Sequence, residues 1–228
     1  MDNESLLDTA RALSQRLQPA DLDATLSQIT AAAVELLPNV HYSSITVLRP
    51  DGTLATAAPT DELLVRLDAE QYRLHEGPCF AAATHADHVV SADLRADERF
   101  PDYGRAAVAE GIRSQIGVRL FETPRSSGAL NLYSTTVGAF ADTAALSALF
   151  AHQAGQAISY AYQIGNLGEA VRSRTVIGEA VGIVMERYDL NDERAFAFLQ
   201  RLSSQRNLKV RVVAQEIVDA SQQQGVQV

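Results

Sequence analysis

An α+β domain joined by a long helix to a small helical bundle is the fold this sequence predicts, on three observations. Residues 6–37 and the residues from Thr143 onward place apolar side chains at helical spacing, whereas residues 43–134 break into short β-branched runs between turn residues. The second helical region runs without proline through Leu146 and Val171, too far to serve a sheet alone. The last quarter, residues 171–220, then reads as three short amphipathic helices with a local reversal of charge.

Each element follows from its own pattern. Leu6, Leu7, Ala10, Leu13 and Leu17 make a helix that Pro19 ends, and Leu22, Leu26, Ile29, Ala33 and Leu37 make a second, stopped by Pro38. Residues 43–48 and 53–57 alternate as strands around Pro50-Asp51-Gly52, which predicts a hairpin. A helix over 61–72 leads to the segment Gly77-Pro78-Cys79-Phe80, and 88–91 is a short strand. Asp93, Asp97, Glu98 and Arg99 precede Phe100-Pro101, where acids favour the N-terminal dipole of a helix that closes at Gly111. Residues 114–121 and 129–134 form a second strand pair around Arg125-Ser126-Ser127-Gly128.

In the connector, Leu146, Phe150, Gln153, Ala157, Tyr160, Ile164, Leu167 and Val171 step three and four at a time. That is the seam of a two-stranded coiled coil, and it predicts a parallel homodimer. The first turns also have the sheet to pack on; beyond Ala157 a partner helix is needed. The next stripe is Ile177, Ala180, Val181, Val184 and Tyr188. Asn191 caps the following helix, with Asp192 and Glu193 in its first turn and Ala195, Phe196, Leu199 and Leu202 inward, Phe198 on the flank. Val210, Val213, Ala214, Ile217 and Val218 line the last. Helices this short are marginal alone, so the three share a core.

The formal charge is -9, unevenly spread: residues 1–165 hold 11 basic against 20 acidic side chains, while 166–228 hold eight of each. From Arg194 to Gln215 there are five basic residues and no acid, a pattern that points to phosphate. Cys79 is the only cysteine, which excludes an internal disulfide and fits a reducing cytoplasm. No apolar run approaches the roughly 20 residues of a membrane span. His41, His75, His85, His88 and His152 are dispersed, so no metal is expected, and no phosphate loop or nucleophile elbow argues for an enzyme.

The pieces Glu76-Gly77-Pro78-Cys79, Asp93-Leu94, Asp97-Glu98-Arg99-Phe100-Pro101, Gly111-Ile112-Arg113-Ser114, Gly128-Ala129-Leu130-Asn131-Leu132-Tyr133-Ser134 and Phe140-Ala141 resemble a GAF domain. The resemblance implies a six-stranded antiparallel sheet flanked by helices, with a pocket for a small ligand to which Cys79, Phe80 and His75 are the candidate contributors. It implies no particular effector and no cofactor. GAF relatives include a free-methionine-sulfoxide reductase, whose chemistry needs more than one thiol; this chain has one.

Residues 174–188, with Ala195-Phe196, Leu199, Leu202, Arg206-Asn207, Lys209 and Val213-Ala214, resemble the ANTAR domain. The combination resembles a GAF–ANTAR regulator of the actinobacterial type, with an N-terminal helix over 1–19, a sensor over 20–160, an ANTAR domain over 161–222 and a tail over 223–228. The resemblance implies a dimeric antiterminator that binds paired hairpin loops in nascent RNA, with Arg174, Arg206, Asn207 and Lys209 as contacts. Arg201 and Arg211 join them because they cluster at the end of one helix and the start of the next. Single-stranded loops are read by Arg stacking and amide hydrogen bonds. The chain departs from the family at Val181, often Lys, and at Ser203-Ser204, often Ala-Met. The competing expectation is a double-stranded DNA regulator, for which the last helix offers only Arg211 and Gln215.

Overall fold

The computed structural model describes residues 3–123, 126–141 and 144–225; Arg125 and Thr143 of the predicted elements, and the side chains of Leu6 and Leu7, fall outside the description. The chain divides into two compact units, residues 1–162 and 163–228.

The first unit is built as helix, sheet, helix. Helices α1 (Asn3–Arg16) and α2 (Leu22–Leu36) precede strands β1 (Tyr42–Leu48) and β2 (Leu54–Ala57). Then follow α3 (Glu62–Leu74), α4 (Pro78–Thr84), β3 (His88–Ser91), α5 (Pro101–Ala109), β4 (Ser114–Thr123) and β5 (Ser126–Ser134). The described strands form one five-stranded sheet in the order β2-β1-β5-β4-β3, antiparallel throughout. The sixth strand that the GAF resemblance implied is not among them. Between β3 and α5 the backbone is instead turned by Asp93, which accepts from the Arg95 N–H, and by Asp97, which accepts from the Arg99 N–H. Such side-chain turns compete with a ladder. Arg99 also donates to the Val90 carbonyl of β3, occupying the edge of the sheet.

The two faces of the sheet differ. Ile45, Ile116, Val118, Leu130 and Leu132 pack with Ile29 and Ala33 of α2 and with Phe150, Ala154 and Ile158 of the long helix α6 (Ala144–Tyr188). On the opposite face Tyr133 packs with Leu64, Leu67, Cys79 and Tyr103 of α3, α4 and α5. Leu146 and Phe150, expected in a dimer seam, are 2% and 1% exposed within the first core. The inward face of α6 steps through Leu146, Phe150, Ala154, Ile158 and Ala161, so the seam loses its first two members to the sheet.

Gly155 sits where α6 crosses β4: an added Cβ meets the Leu120 carbonyl oxygen at 2.6 Å. Gly165, on the same helix, has nothing within 4 Å. Opposite outcomes are therefore expected from one substitution. Gly165→Ala should raise stability by about 0.5–1 kcal/mol through helix propensity. Gly155→Ala should lower it by about 1–3 kcal/mol because backbone must move. Thermal melts that shift both in the same direction would contradict the packing described.

In the second unit, the C-terminal part of α6 packs with α7 (Asp192–Arg206) and α8 (Val210–Gly225). Ala180, Leu199, Val213, Ala214 and Val218 form its core, with Val176, Ile177, Val181, Leu202 and Ile217 around them. Asn191 caps α7 as expected, accepting from the Arg194 N–H at 3.0 Å. Phe196 and Phe198 exchange the places expected of them. Phe196 is 40% exposed, while Phe198 is half-buried against Tyr188 at 5.6 Å between ring centres. The reason is the 3–4 spacing of Ala195, Phe198, Leu199 and Leu202, from which Phe196 is a third of a turn removed. Tyr188, expected inward, is 55% exposed.

Candidate nucleic-acid interface and sensor core

The end of α7 is built by its sequence. Asn207 adopts the left-handed conformation (φ 52°), the N–H of Leu208 bonds to Ser203 O at 3.0 Å and that of Asn207 to Ser204 O at 3.4 Å. This is the paired closure of a Schellman motif, and Asn is one of the few residues at ease there. Ser203 Oγ donates to the Leu208 carbonyl, which gives the unusual serine a role in closing the turn. Lys209 follows at once, its carbonyl accepting from Val212 N–H at 2.9 Å as α8 begins. The first turn of α8 holds no acid, so Lys209 adds to the positive end of the helix dipole rather than opposing it.

Chain connectivity thus gathers Arg206, Asn207, Lys209 and Arg211 around one turn, with Arg201 earlier on α7; all five are exposed. They are not electrostatically equivalent. Arg206 forms a two-toothed ion pair with Glu216, whose carboxylate raises the guanidinium pKa further. Arg211 pairs with Glu169 at 2.9 Å. Arg201, Lys209 and Arg174 have no carboxylate partner among the described residues. Arg174 is exposed on α6, and no contact among the described residues ties it to the α7–α8 turn. Val181 packs against the bundle core, so the missing cation there is replaced by apolar burial.

A groove of about 690 Å³ runs between α6 and α8, lined by Val171, Arg172, Val176, Arg211, Val212 and Gln215 among others. Arg172 was not singled out from sequence. Neither were Glu216, one residue past the acid-free window, and Glu169, well upstream of it on α6, which reach its cations only through the fold.

In the first unit the candidates Cys79, Phe80 and His75 separate. The Gly77-Pro78 step starts α4 with Pro in its first turn, a helix the sequence reading left out. Cys79 then faces inward, fully buried, while His75 is exposed at the left-handed end of α3. Phe80 is half-buried, its ring edge-on to His75 at 5.3 Å. The helix α4 rests on the sheet itself, since a Cβ at Gly117 meets the Pro78 carbonyl at 2.5 Å. Glu76, not Asp93 or Asp97, serves the start of α5 by accepting from the Asp102 and Tyr103 N–H groups at 3.0 and 3.1 Å.

Polar side chains fill the space between sheet and helices. Asp68 is fully buried and accepts from Ser44 Oγ at 2.8 Å, Thr56 Oγ1 at 3.0 Å, Gln71 Nε2 at 3.2 Å and the Tyr133 hydroxyl. Gln71 accepts from the Cys79 N–H at 3.1 Å, and Tyr103 donates to Gln115, whose amide donates to Cys79 Sγ. Asn131 Nδ2 bridges Ser44 and Thr46 at 2.9 Å each. Burial pushes the Cys79 thiol up, aided by the Asp68 charge, which leaves it protonated and a poor nucleophile.

Burial also raises Asp68 from 3.8 to about 6, the four donors offsetting only part of the cost. The difference corresponds to about 3 kcal/mol. Because folding raises this carboxyl, its stabilising contribution is complete below the unfolded value and is lost as pH rises through about 6. The urea midpoint should therefore climb as pH falls from about 7.5 to about 5, and Asp68→Asn should flatten that climb. His88, lowered by burial, acts in the opposite direction in both proteins and cancels in the comparison. Equal slopes in the two proteins would remove Asp68 as the source.

An α+β sensor-type sheet followed by a three-helix module defines the class. The chain belongs to the GAF domain family, matched over residues 19–159, and carries an ANTAR domain over 165–218; it is a GAF–ANTAR regulator. ANTAR is an RNA-binding antitermination module and GAF a sensor module, both regulatory rather than catalytic domains. Among curated proteins none matches the chain significantly.

Solved structures are similar in fold. The GAF domain of a phosphoenolpyruvate-protein phosphotransferase from Coxiella burnetii aligns with TM-score 0.56 at 18% identity, over 73% of this chain and 99% of that one. An N-acylhomoserine-lactone-dependent LuxR-family transcription factor from Burkholderia cenocepacia gives 0.55 at 16%, over 69% and 98%. A free methionine-R-sulfoxide reductase from Neisseria meningitidis, solved with its substrate, gives 0.51 at 18%, over 72% and 95%. Among the described residues no helix is long and apolar enough to cross a membrane.

Proposed function

We propose that this chain is a cytoplasmic, signal-regulated transcription antiterminator that works as a homodimer and binds paired hairpin loops of nascent RNA through the α7–α8 turn. The observation that carries the reading is the exposed cationic turn, Arg201, Arg206, Lys209 and Arg211, on a small helical module of a chain with net charge -9. Phosphate is what such a local excess attracts, and Asn207 beside it adds an amide suited to loop bases. A small-molecule effector of the sensor domain belongs to the reading. Dimerisation is supported by Ile164, Leu167 and Val171, all at least half exposed at seam spacing. The non-catalytic reading is supported by the buried, protonated thiol of Cys79.

The DNA-binding alternative gains nothing from α8. Arg211 and Gln215 are the two side chains of α8 suited to a base edge, and Gln215 already donates to Asp219 at 2.8 Å, which is thin for a groove-reading helix. The test is a gel shift with full-length protein and an RNA carrying two short hairpins. Retention is expected at low salt and diminishes steeply at high salt, while a DNA duplex of equal length is held more weakly. Equal retention of the duplex would overturn the reading.

A further inference from the structure

We propose that Glu216 occupies the phosphate seat of Arg206, so that this carboxylate competes with RNA and sets how tightly the α7–α8 turn holds it. The inference rests on the RNA-binding reading above. Arg206 gives both of its terminal nitrogens to the two oxygens of Glu216. That two-toothed fork is the geometry with which guanidinium grips a phosphate, so the same face cannot serve both anions at once. The pair is open to solvent, with side chains 43% and 46% exposed, and an incoming anion reaches it without unfolding anything. A weaker copy exists in Arg211 and Glu169, joined through one nitrogen, with side chains 47% and 54% exposed.

The turn is therefore divided. Arg201 and Lys209 are standing charges that attract any polyanion, whereas Arg206 and Arg211 become available only when an anion displaces a carboxylate. An exposed ion pair is weak, so displacement by a phosphate held close by the neighbouring cations is easy, and by a dilute free anion it is not. Glu216 thereby sets a threshold that a correctly placed RNA backbone passes. The opposite role, a carboxylate that holds Arg206 in a pose useful to RNA, predicts the opposite sign on removal.

The experiment is a double-mutant cycle read by fluorescence anisotropy. It uses a labelled synthetic RNA of two short hairpins and full-length protein as wild type, Glu216→Gln, Arg206→Gln and the double variant. Glu216→Gln should bind about two- to fivefold more tightly, the range an exposed pair allows. Its salt slope should stay close to that of wild type, because Arg206 reaches phosphate in both complexes and only the carboxylate it must displace is gone. In the Arg206→Gln background the gain should vanish, because the carboxylate acts through that guanidinium. Unchanged or weaker binding by Glu216→Gln overturns the inference, as does a gain that persists without Arg206, which is generic loss of negative charge. The Glu169→Gln and Arg211→Gln cycle repeats the test at the second pair, with a smaller gain expected. If none of the proteins holds the RNA at low salt, the RNA-binding reading itself falls; if wild type binds and Glu216→Gln does not differ, only this inference does.

Discussion

Replacing Arg201, Arg206 and Lys209 together with Gln will abolish retention of the two-hairpin RNA while leaving the helical circular dichroism at wild-type level. The three side chains are exposed and contribute nothing to the core of Ala180, Leu199, Val213, Ala214 and Val218, so the bundle has no reason to loosen. Each lost phosphate contact lowers the salt slope by about one, and the triple variant should therefore lose up to about three from the slope before binding disappears. Asn207 is deliberately spared. Its backbone is left-handed and closes α7, so Asn207→Ala would cost about 1 kcal/mol in cap strain and mix folding with binding. Asn207→Gly keeps the cap while removing the amide, and separates the two. Arg211 is spared so that only one of the two exposed interhelical ion pairs, Arg206–Glu216, is lost, a pair worth little to the bundle. Retention of RNA by the triple variant with an undiminished salt slope would exclude this turn as the contact surface.

The fold was largely written in periodicity. Proline and glycine mark the ends of α2, the β1–β2 hairpin and the start of α5, and the structure puts elements at those places. Helix α4 escaped because Pro78–Thr84 spans two turns, too short for an apolar stripe to declare itself; the available clue was Gly-Pro as cap and first residue. Likewise Phe196 and Phe198 were resolvable from spacing alone once Phe198 is counted with Ala195, Leu199 and Leu202.

What no local pattern carries is pairing at a distance. Glu216 meets Arg206 across ten residues and two helices, and Asp68 collects donors from β1, β2, α3 and β5. In sequence Asp68 is one more acid in an amphipathic helix. Buried under the sheet, it is the centre of the network that fills the space between sheet and helices. The cationic turn itself was legible because its residues are neighbours in the chain; which of its charges stand free was not.

Introducing Asp at both Leu167 and Val171 will convert a dimer into a monomer, halving the mass seen by light scattering. Leu167 is 68% exposed, Val171 56% and Ile164 50%, and Tyr160 earlier on α6 is 61% exposed. Their spacing of three and four is that of a coiled-coil seam, while Leu146 and Phe150 are already spent on the sheet. The stretch also contains Gly165 and Gly168 and has few side chains packed against it, conditions under which a helix is marginal by itself. Burying a Leu, Ile or Val against its twin contributes about 1.5–3 kcal/mol each, so the seam from two copies gives on the order of 10 kcal/mol. Association costs about 4–15 kcal/mol in lost freedom, which makes the balance favourable only narrowly and the dimer dependent on concentration. Four carboxylates facing one another across that seam reverse it. The monomer should then hold one hairpin at a time and lose the gain of a second, tethered contact, about 10²-fold or more for a two-hairpin RNA, with single-hairpin affinity lowered far less. A wild-type chain that remains monomeric at tens of micromolar, or a doubly charged variant that still scatters as a dimer, would show that this face of α6 is not where two copies meet.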